Sequence, residues 1–405
     1  MINIEKLRTE FRSLDQKINN KNLVYLDSAA TTLKPDSVVQ RIEQFYALES
    51  ANVHRGSHFL SDQATGLFES ARNLVKDFLN ANLSEEIIFT SGTTAGLNLI
   101  ADCYGQNFLK ENDEIILTEL EHHANIVPWQ NLALKKKLKI KFLPVDALGE
   151  IDLSNIDQIF TEKTKLVSFS GCSNILGTFL PIEKIIAKAK SVGAITILDA
   201  AQLVAQKKID VQKLDVDFLV FSAHKLFGPY GFGILYGKKE ILEKLPPYQY
   251  GGSMISEVNF EASTYNSLPY RLEAGTPHIA GAVGTAAGIE FIKRFSFEDI
   301  YEHEHQLFNT AFNRLKEIPE IEFFGTAKEK AAIISFNLKG AHHSDVGQIL
   351  DQQGIAVRAG HHCTQPLLKK FKLAGTVRAS FSIYNSLNDV DKLVEGLIKA
   401  KRMLL

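Results

Sequence analysis

The sequence predicts an α/β protein with a large, mainly parallel β-sheet and a second, smaller α+β domain. A chain of 405 residues with 45% hydrophobic residues is long enough to bury one large core and a smaller one beside it. Between about residues 85 and 240, short apolar runs alternate with amphipathic stretches, which is the pattern of βα units around a parallel sheet. In chain order these runs are EIIFTSG, DEIILTE, KLVSFSG, AITILDA, DFLVFSA and GFGILYG.

A change in this rhythm indicates the second domain. Residues 279–295, IAGAVGTAAGIEFIKRF, are rich in small residues and predict one long helix. The runs AAIISFNL, IAVRAG and TVRASFSIY follow it with helical segments between them, as expected for an α+β domain. We therefore predict a large domain over residues 20–290. Residues 1–19 and 291–405 would form the small domain, which carries the segment around Cys363.

Composition and charge exclude several classes of protein. The net charge is −2 and the basic residues are scattered, so the chain lacks the electrostatic footprint of a nucleic-acid binder. No apolar stretch is long enough to cross a membrane, and the N-terminal segment has no secretory signal. The three cysteines include no C-x-x-C pair, which argues against a disulfide framework or a structural metal site. We expect a cytoplasmic protein that binds no metal.

Polar residues follow the predicted strands where open α/β sheets bind ligands. The segment FTSGTTAGLNLIA (89–101) reads as a strand, a turn at Gly92, and a helix opened by Thr93 and Thr94. Free amides and hydroxyls at a helix start suit a phosphate, although such a motif alone is more often a plain helix cap. Asp199 ends the strand in ITILDAAQ, where it either caps the next helix or holds a proton on a ring nitrogen.

The segment VFSAHKLFGPYGFGILYG (220–237) places Lys225 between two β-forming runs, beside Ser222 and His224. Taken alone, Lys225 could be a surface lysine in a hairpin. A buried lysine made neutral is instead a nucleophile toward carbonyl groups. A phosphate cup, then an aspartate, then a lysine match the needs of pyridoxal 5′-phosphate, which binds a Schiff-base lysine, an acidic partner for its ring nitrogen and a phosphate cradle. The residues therefore predict this cofactor.

Ten segments, in order, resemble those of a known enzyme family. The chain resembles the fold-type I, class V aminotransferase-like enzymes and, more narrowly, the cysteine desulfurases, a group that overlaps the selenocysteine lyases. This resemblance implies a seven-stranded, mainly parallel sheet and a homodimer. The segments are YLDSAATTLKP (25–35), NVHRGSH (52–58), SGTTAGLN (91–98), EHHANIVPWQ (121–130), SNILG (173–177), LDAAQ (198–202), SAHKLFGPYGFGILYG (222–237), EAGTP (273–277), RAGHHCTQPL (358–367) and RASFSIYN (378–385).

The resemblance also implies roles for residues that would contact the cofactor. Lys225 would hold it covalently, Asp199 would pair with its ring nitrogen and Gln202 would bond its phenolic oxygen. His122, the first histidine of EHHAN, would stack on the ring and take part in catalysis. Thr276 would reach the phosphate from the other subunit of a dimer. The remaining phosphate-binding residues would be Thr93, Thr94, Ser222 and His224.

On the substrate side, the resemblance implies that Asn174 lies near the substrate and that Arg378 clamps its carboxylate through a bidentate pair. Arg358 is the third substrate-binding candidate. The chain departs from many relatives at two positions, where Gly171 replaces a histidine and His278 replaces an asparagine. Neither position carries a predicted role.

Cys363 separates the possible reactions, because removing sulfur from cysteine needs a second nucleophile that an ordinary aminotransferase lacks. It lies in RAGHHCTQP with basic neighbours that favour a thiolate, whereas Cys103 and Cys172 read as small buried hydrophobic residues. We predict conversion of L-cysteine to L-alanine, with a persulfide on Cys363 passed to a small acceptor protein for iron–sulfur cluster assembly. L-selenocysteine is a second expected substrate. An aminotransferase or kynureninase-like hydrolase is the alternative, and a catalytically silent scaffold is a more distant one.

Overall fold

The computed structural model describes residues 2–405. Its helices are α1 Ile4–Arg8, α2 Asp36–Gln44, α3 Phe59–Leu79, α4 Thr93–Ile100, α5 Gln106–Phe108, α6 Val127–Lys136, α7 Ile156–Ile159, α8 Ile182–Ser191, α9 Val211–Leu214, α10 Lys239–Leu242, α11 Ile279–Ile292, α12 Phe297–Lys316, α13 His343–Asp351, α14 Gln365–Lys370 and α15 Leu387–Leu404. Single turns of 3₁₀ helix include His123–Asn125 and Ala223–Lys225.

The strands are β1 Lys17–Ile18, β2 Lys21–Asn22, β3 Val24–Tyr25, β4 Ile87–Thr90, β5 Glu114–Thr118, β6 Lys139–Leu143, β7 Thr164–Ser170, β8 Ile195–Asp199, β9 Phe218–Ser222, β10 Gly233–Gly237, β11 Ile255–Val258, β12 Ser263–Tyr265, β13 Ile321–Phe324, β14 Ile333–Leu338, β15 Ile355–Ala356, β16 Arg358–Gly360 and β17 Thr376–Ser380. In the described chain no helix is long and apolar enough to cross a membrane.

The large sheet has seven strands in the order β4-β10-β9-β8-β7-β5-β6. Strands β9, β8, β7, β5 and β6 run parallel, and β10 is antiparallel to both of its neighbours. Six strands therefore point the same way, and their carboxyl ends meet at one edge of the sheet. The predicted seven-stranded, mainly parallel sheet is confirmed.

Alternate residues of each central strand enter different cores on the two faces of this sheet. Leu166 and Ile197 belong to one hydrophobic cluster, whereas Val167 and Leu198 belong to another. Strands covered on both faces are apolar along their whole length. This double burial explains why the sequence shows continuous apolar runs here rather than an alternation of apolar and polar residues.

The second sheet has four antiparallel strands in the order β13-β14-β17-β16. Phe336 and Val377 on this sheet pack with Leu307 of α12, Val346 of α13 and Leu393 of α15 in a separate core. The predicted α+β architecture of the second domain is confirmed, and its strands and helices follow the segments that the sequence indicated.

The N-terminal segment contacts both cores. Leu7 and Phe11 belong to the core under the large sheet, whereas Val24 and Leu26 belong to the core of the small domain. Strand β3 pairs in parallel with β15, which joins residues 24–25 to the C-terminal part of the chain. These contacts cross the predicted boundaries at residues 20 and 290, and that division of the chain stays a prediction.

Substitution of Gly233 tests how tightly β10 packs against the turn that precedes α4. A Cβ atom at Gly233 would lie 2.4 Å from the Cα of Gly92, and backbone at this distance cannot yield cheaply. We expect Gly233→Ala to destabilise the protein by about 1–3 kcal/mol because the added methyl group overpacks the site. The unfolding midpoint in urea measures this change.

Gly66→Ala is the matched control. Gly66 lies in the exposed part of α3, and a Cβ atom there would meet nothing within 4 Å. Since alanine has the higher helix propensity, this variant should be stabilised by roughly 0.5–1 kcal/mol. Equal midpoints for the two variants would contradict the packing argument.

Candidate active site

A cleft of about 200 Å³ opens at the edge of the large sheet where the parallel strands end. It brings together eleven of the thirteen residues that the sequence analysis assigned to the site. The lining residues are Ala29, Ala30, Thr93, Thr94, His122, Ala124, Ser170, Cys172, Asn174, Asp199, Ala201, Gln202, Ser222, His224, Lys225, Arg358 and Arg378. Of the remaining two, Cys363 is next to Arg358, and Thr276 lies elsewhere.

Lys225 lies in the 3₁₀ turn that follows β9, and its amine faces the cleft. Burial lowers the pKa of Lys225 to about 8; the charge of Asp199 opposes this shift and that of Arg378 adds to it. A large fraction of the amine is therefore neutral in mildly alkaline solution. A neutral buried amine is the form that attacks a carbonyl carbon.

Asp199 ends β8 and is buried, and one of its carboxylate oxygens accepts a hydrogen bond of 2.9 Å from the backbone N of Ala201. Burial raises the pKa of Asp199. A buried carboxylate needs a donor or a positive charge nearby, and a protonated ring nitrogen supplies both. Gln202 lies three residues on, where its amide donates to the carbonyl of Ala29 at 2.6 Å.

The hydroxyl groups of Thr93 and Ser222 lie together at the start of α4. The side chains of Thr93 and Ser222 share a hydrogen bond of 2.8 Å, and the Ser222 hydroxyl also accepts from the Thr93 backbone N. Gly92, with φ of 147°, turns the chain from β4 into this helix. His224 packs on Tyr230, and burial lowers its pKa to about 4. This arrangement suits an anion such as a phosphate, because a helix start presents free amides.

His122 follows β5, and its ring nitrogen Nδ1 accepts a hydrogen bond of 3.0 Å from the backbone N of Ala124. Burial lowers the pKa of His122 to about 4, with a further contribution from the charge of Lys225. The ring is therefore a neutral aromatic surface. Neutrality suits a residue that stacks on a protonated ring.

Glu121 holds the loop after β5 in place, and the sequence analysis did not single it out. It is buried, and its carboxylate accepts hydrogen bonds from Ser170, Thr118 and Asn125. These bonds tie the loop after β5 to the end of β7 and so fix the place of His122. The segment EHHAN contains Glu121. Nothing in the sequence shows, however, that Ser170 at the end of β7 lies beside it.

Arg378 lies on β17 of the small domain and is fully buried. Its guanidinium donates to Asp27 Oδ1 at 2.8 Å and to the carbonyl of Asn174 at 2.7 Å. The buried Nε of Arg378 has no hydrogen-bond partner within the described residues. A guanidinium fixed in this way has donor capacity left for a substrate carboxylate. Asp27 was not predicted, although it lies within the segment YLDSAATT.

Cys363 is partly exposed on the loop after β16. The Nη2 atom of Arg358 lies 3.9 Å from the Cys363 sulfur. His362 and Cys363 both adopt left-handed backbone, with φ of 50° and 56°, which costs roughly 1–2 kcal/mol for each non-glycine residue. The amide of Asn174 reaches this loop by donating to the carbonyl of His362 at 2.8 Å. Strained backbone held in one shape is typical of functional loops.

The other two cysteines are buried. Burial raises the pKa of Cys103 and that of Cys172 to about 12, so both remain thiols at neutral pH. Cys172 nevertheless lines the cleft, which the sequence analysis did not anticipate. Its sulfur lies 3.4 Å from the carbonyl oxygen of Gly177.

Thr276 is not brought to Lys225 within one chain. It lines a different pocket of about 240 Å³, together with Phe89, Tyr248 and His278. The expected contact between Thr276 and the phosphate is one made from a second copy of the chain, and it stays a prediction.

Packing gives a reason for the glycine at position 171. A Cβ atom at Gly171 would lie 2.7 Å from a methyl carbon of Leu203. Leu203 therefore occupies the space that a larger side chain at this position would need. His278 precedes α11 and packs edge-on against Phe232, with ring centroids 6.2 Å apart. Leu203 and Phe232 are thus the neighbours of the two residues at which this chain differs from many relatives.

Comparison with known proteins agrees with this site. The Aminotransferase class-V family matches residues 24–393. A cysteine desulfurase of Serratia proteamaculans is 45% identical over 99% of both chains, and one of Wigglesworthia glossinidia brevipalpis is 44% identical over 99% of this chain and 98% of the relative. Among solved structures, the cysteine desulfurase CsdA of Escherichia coli covers all of both chains with 38% identity and a TM-score of 0.93.

The chain therefore belongs to the class-V aminotransferase family of pyridoxal-phosphate enzymes, among its cysteine desulfurases. This result confirms the predicted family, fold type and cofactor. The cleft fits the cofactor, since it contains a lysine of lowered pKa, a buried carboxylate and hydroxyls at a helix start. The roles of individual residues stay predictions.

The pKa of Lys225 predicts how the protein without cofactor takes up pyridoxal 5′-phosphate. Only the neutral amine attacks the aldehyde, so the rate of covalent attachment should rise as pH increases toward about 8 and level off above it. Stopped-flow absorbance in the visible range measures this rate. Lys225→Ala should bind the cofactor without forming the covalent link, and a rate that is flat between pH 6 and about 10 would contradict the argument.

Proposed function

We propose that this cysteine desulfurase converts L-cysteine to L-alanine by taking the sulfur onto Cys363. The observation that carries this proposal is the place of the Cys363 thiol. It is partly exposed, it is next to Arg358, and its loop is tied to Asn174, which lines the Lys225 cleft. A reaction that needed only the cofactor would not require a thiol beside Arg358, which lines the cleft.

When bound, pyridoxal 5′-phosphate supplies an electron sink next to the substrate Cα. Asp199 would keep the ring nitrogen protonated by placing a buried negative charge beside it. Thr93, Ser222 and the start of α4 would hold the phosphate. The neutral His122 ring would cover the face of the cofactor.

Lys225 would act as the proton carrier. Its amine faces the cleft, where a substrate bound beside the cofactor would lie. With a pKa of about 8, it can accept the proton from the substrate Cα and return it. Arg378 would hold the substrate carboxylate, because its guanidinium is buried, fixed by Asp27 and has an Nε group left to donate. Asn174 would set the position of the substrate between Arg378 and the cysteine loop.

The thiolate of Cys363 would attack the sulfur of the substrate. An S–S bond forms as the Cβ–S bond of the substrate breaks, and the electron pair of that bond passes to Cβ, which takes up a proton. The products are L-alanine and a persulfide on Cys363, so atoms and electrons balance without an added oxidant. The guanidinium of Arg358, whose Nη2 atom lies 3.9 Å from the Cys363 sulfur, would help to hold the attacking sulfur in place.

Further parts of the proposal concern partners. A persulfide must be passed on, and we infer a small acceptor protein that feeds iron–sulfur cluster assembly. L-selenocysteine would also be a substrate, since its selenol leaves more readily. The reaction needs a free thiol, which the reducing cytoplasm maintains. Thr276 would complete the phosphate site of a second copy in a homodimer.

Cys363→Ala separates the chemistry of the cofactor from that of the thiol. The variant should bind the cofactor and should still show spectral changes with L-cysteine, because these depend on Lys225 and Asp199. Alanine release should fall by about 100-fold or more, as expected when an essential nucleophile is removed. Mass spectrometry of the wild type should find an added sulfur atom on Cys363.

Cys103→Ala is the control for this experiment, since Cys103 is buried outside the cleft and should leave turnover nearly unchanged. L-selenocysteine turnover should be less affected by Cys363→Ala than L-cysteine turnover is. Full cysteine turnover by Cys363→Ala, or a wild type that never carries the extra sulfur, would mean that Cys363 is a bystander.

Thr276→Ala tests the dimer. If Thr276 contacts the phosphate in the partner subunit, this variant should remain dimeric by light scattering and bind the cofactor about tenfold more weakly, the cost of roughly one hydrogen bond to a charged group. Mixing Thr276→Ala with Lys225→Ala should restore one site of the mixed dimer to normal affinity. A monomer that is fully active at assay concentration would rule out this role.

A further inference from the structure

Two histidine side chains hold the backbone of the cysteine loop. The Nδ1 atom of His361 accepts a hydrogen bond of 3.2 Å from the backbone N of Cys363. The Nε2 atom of His123 accepts one of 3.0 Å from the backbone N of Gln365. The two imidazole rings stack with their centroids 5.9 Å apart and their planes inclined by 30°.

His123 contacts the loop a second time through its own backbone, whose N–H donates to the carbonyl of Cys363 at 2.8 Å. His123, which lies in the loop after β5, thus binds the cysteine loop at Cys363 itself and at Gln365, two residues further on. Gln365 begins α14, so its N–H lies at a helix start and lacks a partner within the helix. His123 supplies that partner.

The loop needs such support because its backbone is strained. His362 and Cys363 are both left-handed, which a chain of non-glycine residues does not adopt spontaneously. Without the two imidazole acceptors, the amides of Cys363 and Gln365 would bond to water. Backbone with fewer constraints would then sample the more favourable right-handed and extended regions, and the sulfur would leave its position beside Arg358.

We propose that His123 and His361 are positioning residues for sulfur transfer, which hold Cys363 in its attacking position as neutral hydrogen-bond acceptors. The inference rests on the proposed function of Cys363. It assigns the proton of His123 to Nδ1 and that of His361 to Nε2, because the other nitrogen of each ring accepts a backbone N–H. Neither histidine touches the reacting atoms.

The surroundings favour a neutral ring at His123. Burial lowers the pKa of His123, and the neighbouring His361 lowers it further. The other titratable or charged groups beside this cluster are His122, whose ring centroid is 6.3 Å from that of His123, Arg358, and Cys363 itself. The charge of Arg358 opposes a further positive charge here, whereas a thiolate at Cys363 would favour one. The acceptor role therefore rests on the two backbone hydrogen bonds, each of which needs a ring nitrogen that carries no proton. An imidazolium has no acceptor nitrogen, and protonation would break both bonds.

The test exploits the fact that each histidine uses a different nitrogen. Glutamine places an amide oxygen near the position of Nε2, whereas asparagine places one near Nδ1. His123→Gln and His361→Asn therefore keep the acceptor, and the swapped pair His123→Asn and His361→Gln lose it. His123→Ala and His361→Ala remove ring and acceptor together. All six variants are made in the full chain and loaded with cofactor.

The first measurement needs no substrate. Hydrogen exchange of the peptide that covers residues 361–366 should be about tenfold or more faster at Cys363 and Gln365 in the two alanine variants and in the swapped pair, because a lost hydrogen bond exposes the amide to water. The acceptor-keeping variants should exchange at a rate near that of the wild type. The visible spectrum of the bound cofactor should be the same in all seven proteins.

The second measurement follows turnover of L-cysteine. The initial spectral change should keep its rate in every variant, since it depends on Lys225 and Asp199. Single-turnover persulfide formation and kcat should fall about 10–100-fold in the acceptor-free variants, because a displacement of about 1 Å can cost this much. KM should change less than threefold, and His123→Gln and His361→Asn should recover most of the rate.

The proposal is wrong if the acceptor-keeping and acceptor-free variants lose the same fraction of their rate. A histidine that acted only by packing would give no reason for Gln and Asn at one position to differ. Unchanged exchange at Cys363 and Gln365 in His123→Ala and His361→Ala would overturn it as well. Failure of the proposed function would be recognised by a different result. If Cys363→Ala retains full cysteine turnover, Cys363 does not accept the sulfur, even if hydrogen exchange shows that the two histidines hold the loop.

Discussion

The parallel alignment of β7, β8 and β9 is the constraint on which the rest of the site depends. Neighbouring strands that run in one direction end at the same edge of the sheet. The residues that follow these strands therefore lie close together. Asp199 and Lys225 come from adjacent strands in this way. The strands are buried on both faces, and the same burial that stabilises the sheet lowers the pKa of Lys225 and raises that of Asp199.

The small domain supplies Arg378 and Cys363, the two groups to which we assign substrate binding and sulfur transfer. Arg378 extends from its sheet into the cleft and is bonded to Asp27 and Asn174, which belong to distant parts of the chain. Cys363 lies on a loop of the same sheet, and contacts from His123 and Asn174 join that loop to the large sheet. In the proposed mechanism, the residues that hold the cofactor follow strands of the large sheet, whereas Arg378 and Cys363 come from the small sheet and its loop.

Prediction from the sequence was most successful where function resides in residue types and their order. A lysine after an apolar strand, an aspartate at the end of another and a threonine pair at a helix start are chemical requirements of the cofactor, and the chain displays them in readable segments. It was least successful for Glu121, Asp27 and His123. Their roles depend on partners far away in the sequence, such as Gln365, which is 242 residues from His123.

The sequence by itself determined the fold class and the cofactor, and it predicted which lysine and which cysteine react, because apolar periodicity and residue chemistry are local properties. Tertiary structure alone decided which backbone groups are bound by which side chains. The left-handed conformation of Cys363, the acceptor nitrogens of the two histidines and the separation of Thr276 from Lys225 within one chain are of this kind. Each results from packing between distant segments, and the free energy of that packing is not encoded in any short stretch of the chain.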